Sequence, residues 1–375
     1  LHAVSVGETI ASAPLVHALR ARHPELPIVL TTTTPTGSER VRALFGDAVF
    51  HVYAPYDLPG AVARFMARVR PRLALIMETE LWPNTLHHCR ARGIPALLLN
   101  ARLSARSARG YARLAPLTRD ILDALGGVAA QAQADGERFV ALGLARERLH
   151  ITGSIKFDIA IDEEIRQRAR ALRSSWGSRP VWIAASTHAG EDAAVLAAHR
   201  RVLAQHPDAL LVLVPRHPER FAGVHRQIGA AGFSAARRSE SAPPAGPVQV
   251  LLGDSMGELL MLYGASDVAF VGGSLVPRGG HNMLEPAAWG LPILTGPSDF
   301  NFTAISQKLR AAGAMQIIEG ETGLAGQVAA LLADAALREQ RGRAGLAVID
   351  ANRGALARQL ALIDQLLAAQ VLKSS

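Results

Sequence analysis

Residues 271–286 read Val-Gly-Gly-Ser-Leu-Val-Pro-Arg-Gly-Gly-His-Asn-Met-Leu-Glu-Pro, and they join an apolar, strand-like run to a helix predicted to begin near Asn282. Glycine pairs in such a turn let backbone N–H groups approach an anion, and a helix N-terminus adds about half a positive charge. Glu285 would lie in the first helical turn, with its carboxylate free to accept hydrogen bonds from hydroxyl groups. The pattern predicts a nucleotide-sugar site, although a tight, capped strand-to-helix turn fits the same residues.

Outward from this stretch, short apolar runs alternate with amphipathic, helix-like segments such as 9–22, 58–70 and 107–125. This alternation predicts the α/β class, with parallel sheets in two doubly wound, Rossmann-like domains. We expect the two domains to face a central cleft beyond the strand ends, where open sheets bind ligands. The predicted strands are Val4–Val6, Ile28–Thr32, Leu73–Met77, Ala96–Leu99 and Val128–Gln131, then Val181–Ala185, Leu210–Val214, Val248–Leu252, Val268–Val271 and Pro292–Thr295.

A chain of 375 residues is too long for one ordinary core. We predict an N-terminal, acceptor-binding domain over 1–160, a C-terminal, donor-binding domain over 161–350, and a helix over 351–375 that packs back toward the first domain. The single cysteine, Cys89, excludes a disulfide framework. No apolar run approaches the roughly 20 residues of a membrane span. Because the sequence opens at Leu1 inside a strand-like run, we expect the natural N-terminus to be missing.

The net charge of +8 is carried almost wholly by arginine and is unevenly distributed. Residues 1–160 hold 19 Lys and Arg against 13 Asp and Glu, whereas residues 161–375 hold 21 against 19. The surplus in the first half indicates an anionic partner there. If residues 102–113 are helical, four arginines form one basic stripe: Arg102, Arg106, Arg109 and Arg113. Such a stripe suits phosphates or a membrane surface, or it is simply a solvated face.

Three candidate residues of the first half lie at predicted strand ends. Glu8 follows the first strand and is either a general base for a hydroxyl or a helix-capping carboxylate. Glu78 and Glu80 follow a later strand, and alternation would place them on one side of an extended chain. Alternatively, this pair supplies negative charge to the first turn of the next helix, which has Pro83 near its start. Lys156 is one of only three lysines and could act as a compact point charge.

The second half repeats this arrangement of polar residues at strand ends. The turns are Ala184–Glu191, Leu213–Arg220 and Gly253–Leu259, and in the second of them Arg216 is placed to meet a phosphate or a carboxylate. No Asp-x-Asp pair occurs, and His281 is isolated from other types of metal ligand, so no metal site is predicted. The Gly-x-Ser-x-Gly elbow of a serine hydrolase is absent as well.

In its motifs the chain closely resembles the 3-deoxy-D-manno-octulosonic acid (Kdo) transferases of lipopolysaccharide synthesis, which are GT-B glycosyltransferases. The resemblance runs nearly end to end and in one order, so it is specific. The motifs are His2-Ala-Val-Ser-Val-Gly-Glu8, Glu78-Thr-Glu-Leu-Trp-Pro-Asn84, Asn100-Ala-Arg-Leu-Ser-Ala-Arg-Ser107, Gly153-Ser-Ile-Lys-Phe-Asp158, Ser186-Thr-His188, Val214-Pro-Arg-His-Pro-Glu-Arg220, Met256-Gly-Glu258, and Gly272-Gly-Ser through Glu285-Pro286.

The resemblance implies transfer of Kdo from CMP-Kdo to the tetraacylated lipid A precursor, with inversion and without a metal or other cofactor. It makes Glu8 the base, has Glu78 and Lys156 stabilise the transition state, and places the enzyme at the cytoplasmic face of the inner membrane. The donor would be held by residues of the second domain. These are Pro215, Arg216, Met256, Gly257, Glu258, Asn282, Met283, Leu284 and Glu285.

The sequence departs from the family pattern at two positions, and other functions compete with this interpretation. Ser154 and Ile155 stand where relatives have asparagine and leucine, and the family's membrane anchor is not part of this sequence. Another GT-B enzyme, a UDP-sugar transferase or epimerase, is the alternative among enzymes. A non-enzymatic protein that binds nucleic acid or anionic lipid would explain the charge but not the ordered turns of the second half. We therefore expect a lipid partner at the inner-membrane surface and no nucleic acid.

Overall fold

The computed structural model describes residues 1–240 and 248–374, and the chain divides into two compact units. The first unit contains residues 1–158 together with the C-terminal residues from 352 onward, and the second contains residues 159–351. Each unit has its own sheet, with helices that connect parallel strands. All strand pairs named below are parallel, as expected when helices form the crossovers.

The first unit is built on six short strands. The pair β1–β2 joins the row β3-β4-β5-β6 through residues 1–3, because His2 bridges Thr31 on one side and Ile76 on the other. The strands are β1 (Val29–Thr32), β2 (Phe50–Tyr53), β3 (Ala74–Met77), β4 (Ala96–Ala101), β5 (Gly127–Ala130) and β6 (Leu149–Ile151). The helices are α1 (Val6–Arg22), α2 (Pro35–Phe45), α3 (Pro59–Val69), α4 (Pro83–Ala91), α5 (Ala105–Ala112), α6 (Ala115–Asp123) and α7 (Gln133–Ala141).

Local sequence explains where these helices begin. Ser5 caps α1 and Thr34 caps α2, each by accepting a backbone N–H from the first turn. Four helices carry proline in the first turn, where the missing N–H costs nothing. The start of α4 is capped from outside, because the Asp57 carboxylate accepts the backbone N–H groups of Asn84 and Thr85 at 2.8 Å each.

The second unit is a seven-stranded sheet in the order β13-β12-β11-β7-β8-β10-β9. Its central strands are wholly buried, which accounts for their continuous apolar runs. The strands are β7 (Val181–Thr187), β8 (Leu210–Pro215), β9 (Ala235–Arg237), β10 (Val250–Leu252), β11 (Val268–Val271), β12 (Ile293–Thr295) and β13 (Met315–Ile317). The helices are α8 (Glu163–Ser175), α9 (Glu191–Leu203), α10 (Phe221–Ala230), α11 (Leu259–Gly264), α12 (Leu284–Ala288), α13 (Thr303–Ala311), α14 (Gly320–Ala333) and α15 (Ala335–Asn352), and α16 (Ala355–Ser374) follows.

The α/β class and the doubly wound sheets are confirmed, and each sheet has one switch point. In the first unit the order reverses between residues 1–3 and β3, and in the second it reverses between β7 and β11. Crevices at the carboxyl ends of strands that flank a switch point are where such sheets bind ligands. The residues that follow these four strands are therefore the first place to look for a site in each unit.

Several predicted boundaries were wrong. The strand predicted at Val4–Val6 is absent, because Ser5 caps α1 and the helix already begins at Val6. The segment 107–125 contains two helices, α5 and α6, and the predicted final helix is interrupted at Arg353 and Gly354. The strands missed by the sequence analysis are β2, β6, β9 and β13, all at or near sheet edges with little buried surface.

The C-terminal helix α16 is part of the first unit and is attached to it by a capping interaction. The Asp158 carboxylate accepts the backbone N–H groups of Gly354 and Leu356, both at 2.6 Å. Along the helix, the buried side chains of Leu360 and Ile363 join the same apolar cluster as Leu15 of α1. Asp158 ends the first unit in sequence and also fixes the point where the chain returns to it.

We expect Asp158→Ala to release the start of α16. Loss of an N-terminal cap costs about 1–2 kcal/mol, so unfolding should occur at lower denaturant and the amides of α16 should exchange faster. Hydrogen exchange measured by mass spectrometry reads out the helix directly. Asp162→Ala is the matched control, because Asp162 caps α8 by accepting the Ile165 N–H at 2.8 Å. Equal protection of α16 in both variants would contradict the capping role of Asp158.

Candidate active site

In the first unit, Glu8 lies in the first turn of α1, directly beyond the segment that adjoins the switch point. Its carboxylate accepts the Val4 N–H at 2.8 Å and the Ser5 hydroxyl at 2.9 Å, while the Ser5 oxygen accepts the Glu8 N–H. The side chain is therefore held in one position and is only 8% exposed. Glu8 closes a capping interaction, as one of the two alternatives from the sequence expected, and its carboxylate is held in place near the sheet edge, where the role of a general base remains a prediction.

Burial raises the pKa of Glu8 to about 7, and hydrogen bonds from Ser5 and Val4 act in the opposite direction. The negative charges of Glu80 and Glu78 raise it further, so both acids lie close enough to interact with Glu8. A carboxyl group with a pKa near neutrality is half ionised at physiological pH and can accept a proton from a substrate and return it. Three glutamates thus meet at the carboxyl ends of strands that flank the switch point.

Glu78 is the centre of a small ion-pair group. Its carboxylate lies 3.5 Å from Lys156 Nζ and 3.1 Å from Arg102 Nε. The backbone of Glu78 is left-handed, with φ of 54°, and lies in a turn, so the prediction of an extended 78–80 segment is wrong. A left-handed backbone at a residue other than glycine costs about 1–2 kcal/mol and commonly marks functional positions. Neither Glu78 nor Glu80 supplies first-turn charge to α4, which has no acidic residue there.

Asn100 is a site residue that the sequence analysis missed. It is fully buried at a bulge in β4, has φ of 50°, and its Oδ1 accepts the Ile155 N–H at 3.2 Å. The short 3₁₀ turn Ile155–Phe157, capped by Ser154, is thereby attached to the sheet and holds Lys156 half-buried beside Glu78. A polar residue inside the apolar run Ala96–Ala101 was the available signal.

Glu80 and Trp82 form a second polar contact at this edge. The Trp82 indole N–H donates to the Glu80 carboxylate at 3.0 Å, and the Trp82 ring contacts the His2 ring edge to face, with centroids 4.5 Å apart. His2 Nδ1 is within 2.8 Å of the Thr31 hydroxyl. These contacts fix the orientation of the Trp82 ring next to the three glutamates.

The predicted arginine stripe is not one helical face. Helix α5 begins at Ala105, so only Arg106 and Arg109 lie within it, while Arg113 is its C-terminal capping residue. Arg102 precedes the helix, and its side chain forms an ion pair with Glu78. All four side chains are exposed, so the region is basic without being a regular stripe.

In the second unit, the glycine turn after β11 has a different role from the predicted one. The N–H groups of Gly273, Ser274 and Leu275 donate to the carboxylate of Glu191 at 2.7–3.0 Å, and the His188 N–H donates to it at 2.8 Å. The other three glycines of the two pairs donate their N–H groups to protein oxygens as well. The interpretation that these glycines hold a phosphate through their backbone is therefore wrong, because Glu191 serves as the anion.

The predicted donor-binding residues after β8 and β11 lie near one another. Asn282 Nδ2 donates to Glu285 Oε1 at 2.9 Å, and its Oδ1 accepts the Leu284 N–H at 3.1 Å. Burial raises the pKa of Glu285, whereas the Asn282 hydrogen bond and the charge of Arg216 lower it. Arg216 is exposed at the end of β8, directly after the buried Pro215.

The remaining predicted donor residues differ in what they can offer a ligand. The side chains of Met283 and Leu284 are fully buried, so only their backbone can meet a ligand, whereas the Met256 side chain is 65% exposed. Gly257 has a left-handed backbone, and Glu258 is the N-terminal capping residue of α11. The Glu258 carboxylate pairs with Arg168 and Arg238 at 2.8 and 2.9 Å, so it stabilises the unit and is not a free acceptor.

His281 lies in a group of histidines that the sequence analysis did not predict. Its Nε2 lies 2.8 Å from Nε2 of His188, and the ring of His217 contacts His188 edge to face. Within residues 1–240 and 248–374, however, no group of three or more His, Cys, Asp or Glu side chains has an arrangement that could hold a metal ion.

Comparison with known proteins identifies the family. The family model described as 3-deoxy-D-manno-octulosonic-acid transferase (kdotransferase) matches residues 1–159. The 3-deoxy-D-manno-octulosonic acid transferase of Haemophilus influenzae is 48% identical over 97% of this chain and 86% of that protein. The chain belongs to the Kdo transferase family. The transferase of the same name from Bordetella pertussis is 42% identical over 97% of this chain and 86% of its own length.

A solved structure supports the fold of this family member. A glycosyltransferase from Rickettsia africae superposes with a TM-score of 0.58 over 98% of this chain and 97% of its own, at 12% identity. At that identity the likeness concerns the fold alone. The chain is thus a glycosyltransferase of the GT-B class, and the resemblance inferred from its motifs is confirmed.

We expect Glu191→Ala to destabilise the second unit strongly. Four backbone N–H groups would lose their acceptor, which should cost at least about 3 kcal/mol of unfolding free energy in a urea titration. Glu191→Gln keeps the shape of the side chain, but its amide N–H₂ would face backbone N–H groups. We therefore expect an intermediate loss of unfolding free energy. Glu339→Ala, which removes a carboxylate 67% exposed on α15, is the control. A Glu191→Ala midpoint within error of that control would contradict this role.

Proposed function

We propose that this Kdo transferase family member transfers Kdo from CMP-Kdo to the tetraacylated lipid A precursor in lipopolysaccharide synthesis. The observation that carries the proposal is Glu8, a fixed carboxylate with a pKa of about 7 beside Glu78 and Glu80 at the switch point of the first unit. The names of the Haemophilus and Bordetella relatives support the sugar that is transferred.

In the proposed reaction, Glu8 accepts the proton of the acceptor's primary hydroxyl as that oxygen attacks the anomeric carbon of Kdo. The bond from this carbon to the phosphate oxygen of CMP breaks, and its electron pair leaves with CMP. A single displacement of this kind inverts the anomeric configuration. The pKa of Glu8 fits the task, because a base that titrates near the working pH is ionised often enough and is still basic enough to take a proton.

Lys156 supplies positive charge where the leaving group gains negative charge. A fixed cation in a partly desolvated site stabilises such a transition state without reorganising. Glu78 acts as a positioning residue in this proposal, because its carboxylate lies 3.5 Å from Lys156 Nζ and restricts that flexible side chain. Asn100 supports the same turn from below through the Ile155 N–H.

The donor is assigned to the second unit. Arg216 would meet a phosphate oxygen, and the Asn282–Glu285 pair would accept hydrogen bonds from hydroxyl groups. The backbone at 256–258 and 283–284 would complete the contacts. We propose that no metal is required, because Lys156 and Arg216 can offset the charge on CMP.

The acceptor and its membrane are assigned to the first unit. Arg106, Arg109 and Arg113 are exposed beside Leu114 and Leu117, which are 60% and 45% exposed. Basic side chains next to exposed apolar ones suit the phosphates and the surface of an anionic membrane. Over the described residues, no helix is both long and apolar enough to cross a bilayer. We propose the cytoplasmic face of the inner membrane as the place of action.

The reaction is tested by CMP release from CMP-Kdo, with and without the tetraacylated lipid A precursor in detergent micelles, together with mass spectrometry of the lipid. We expect CMP release to depend on the lipid, and the lipid mass to rise by one or more Kdo units. UDP-N-acetylglucosamine serves as the control donor and should not be consumed. No lipid-dependent CMP release, or consumption of the UDP-sugar instead, would overturn the proposal.

Glu8→Gln should lower kcat by about 10²–10⁴-fold while the KM for CMP-Kdo changes less than about twofold. Because the base must be ionised, the wild-type rate should rise with pH up to about 7 and level off above it. The variant should lack this rising limb. Initial rates of CMP release between pH 5.5 and 8.5 give both results.

Glu39→Gln is the matched control for Glu8, because Glu39 is exposed on α2 of the same unit. It should keep the wild-type rate and pH profile. A Glu8→Gln enzyme that retains the wild-type kcat would remove Glu8 from the mechanism. A pH profile of the wild type that is flat from 5.5 to 8.5 would contradict the assignment of its pKa.

A further inference from the structure

Two histidines of the second unit lie within hydrogen-bond distance of each other beyond the ends of the strands that flank its switch point. His188 follows β7 and His281 follows the glycine turn after β11, and their Nε2 atoms are 2.8 Å apart. The ring planes differ by 4°. Gly273 makes this approach possible, since a Cβ there would lie 2.9 Å from His281 Nε2. Both rings are half-buried, so the pair remains open to a ligand.

Cationic side chains surround the pair, and the acids near them are Glu191, Glu219 and Glu285. Arg216 and Arg278 are exposed, and among the described residues neither pairs with a carboxylate, while His217 contacts the His188 ring. Arg220 is already paired with Asp192. The adjacent acid is Glu191, and four backbone N–H groups saturate its carboxylate. A region of this kind attracts an anion.

The electrostatics of the two rings agree with this geometry. Burial lowers the pKa of His281 to about 4, and the charge of Arg216 and the neighbouring histidines lower it further. Burial also lowers the pKa of His188, with Glu191 acting against it and His217, Arg278 and Arg220 adding to the decrease. A second proton would set two N–H groups against each other across 2.8 Å. An anionic oxygen removes that conflict, because it can accept hydrogen bonds from both rings.

We propose that His188 and His281 form a subsite that binds an anionic group of the donor through their two Nε2 atoms. The proposal rests on the proposed function only for the identity of that donor. CMP-Kdo carries two such groups, the sugar carboxylate and the phosphate, and either can present an oxygen to the pair. The glycine pairs contribute no backbone donor, because their N–H groups are already bonded within the protein.

The test compares CMP-Kdo as substrate with CMP as competitive inhibitor in wild type, His188→Ala and His281→Ala. Hydrogen bonds to charged groups are worth about 1.5–3 kcal/mol, so we expect the KM for CMP-Kdo to rise at least about tenfold in each alanine variant. The kcat should change less than about threefold. His188→Gln and His281→Gln keep an N–H in reach of the anion and should recover part of the affinity. His225→Ala on α10, outside the cluster, is the matched control.

The inhibition constant of CMP identifies the bound group. A rise in KM with an unchanged constant for CMP assigns the subsite to the sugar carboxylate, and a parallel rise in both assigns it to the phosphate. An active wild type whose alanine variants keep its KM overturns the inference. A loss in the glutamine variants equal to that in the alanine variants also overturns it, since packing would then explain the effect. A wild type without activity refutes the proposed function instead.

Discussion

A buried carboxylate needs hydrogen-bond donors. Each unit has such a carboxylate near the start of a helix, Glu8 in α1 and Glu191 in α9, and each takes its donors from the loops around it. Glu191 gathers four backbone N–H groups from two loops and so fixes the turn after β11 against the end of β7. Glu8 accepts one backbone N–H and one hydroxyl, and so fixes residues 4–8 at the start of α1. These hydrogen bonds fix the backbone next to Glu8 in the first unit and next to His188 in the second.

The difference between the two glutamates explains why only one is suited to chemistry. Four backbone N–H groups stabilise the charge of Glu191 and take up the hydrogen-bonding capacity of its carboxylate. Glu8 has fewer donors, is almost fully buried, and lies close to Glu78 and Glu80, so its ionised form is destabilised and its pKa rises to about 7. The same local arrangement, a first-turn glutamate that binds back to the preceding loop, stabilises the turn in one unit and, in our proposal, supplies the base in the other.

Apolar runs were enough to predict the class of the fold and most central strands, because buried parallel strands have continuous apolar sequences. They were not enough for β2, β6, β9 and β13, whose edge positions leave little apolar surface to bury. The family motifs indicated Glu8, Glu78 and Lys156. The left-handed backbones of Glu78, Asn100 and Ser186 were not predicted; those of Asn100 and Ser186 lie at irregularities in strand pairing, which the local sequence does not reveal. Asn100 and Glu191 were missed for the same reason, since their partners are distant in sequence.

In the glycine turn of residues 271–286, the predicted use of the glycines differs from the one that the structure shows. Glycines were expected to admit a phosphate to the backbone, yet their N–H groups are bonded within the protein. Because Gly273 has no side chain, the ring of His281 fits beside it and reaches His188. The glycine N–H groups are therefore not available to an anion at this turn, and we propose that side chains contribute to holding it. Side-chain recognition by histidine and arginine depends on protonation and charge in a way that backbone recognition does not. In our proposal, the second unit therefore uses side chains for an anionic group at the turn where the glycine pattern indicated backbone N–H groups.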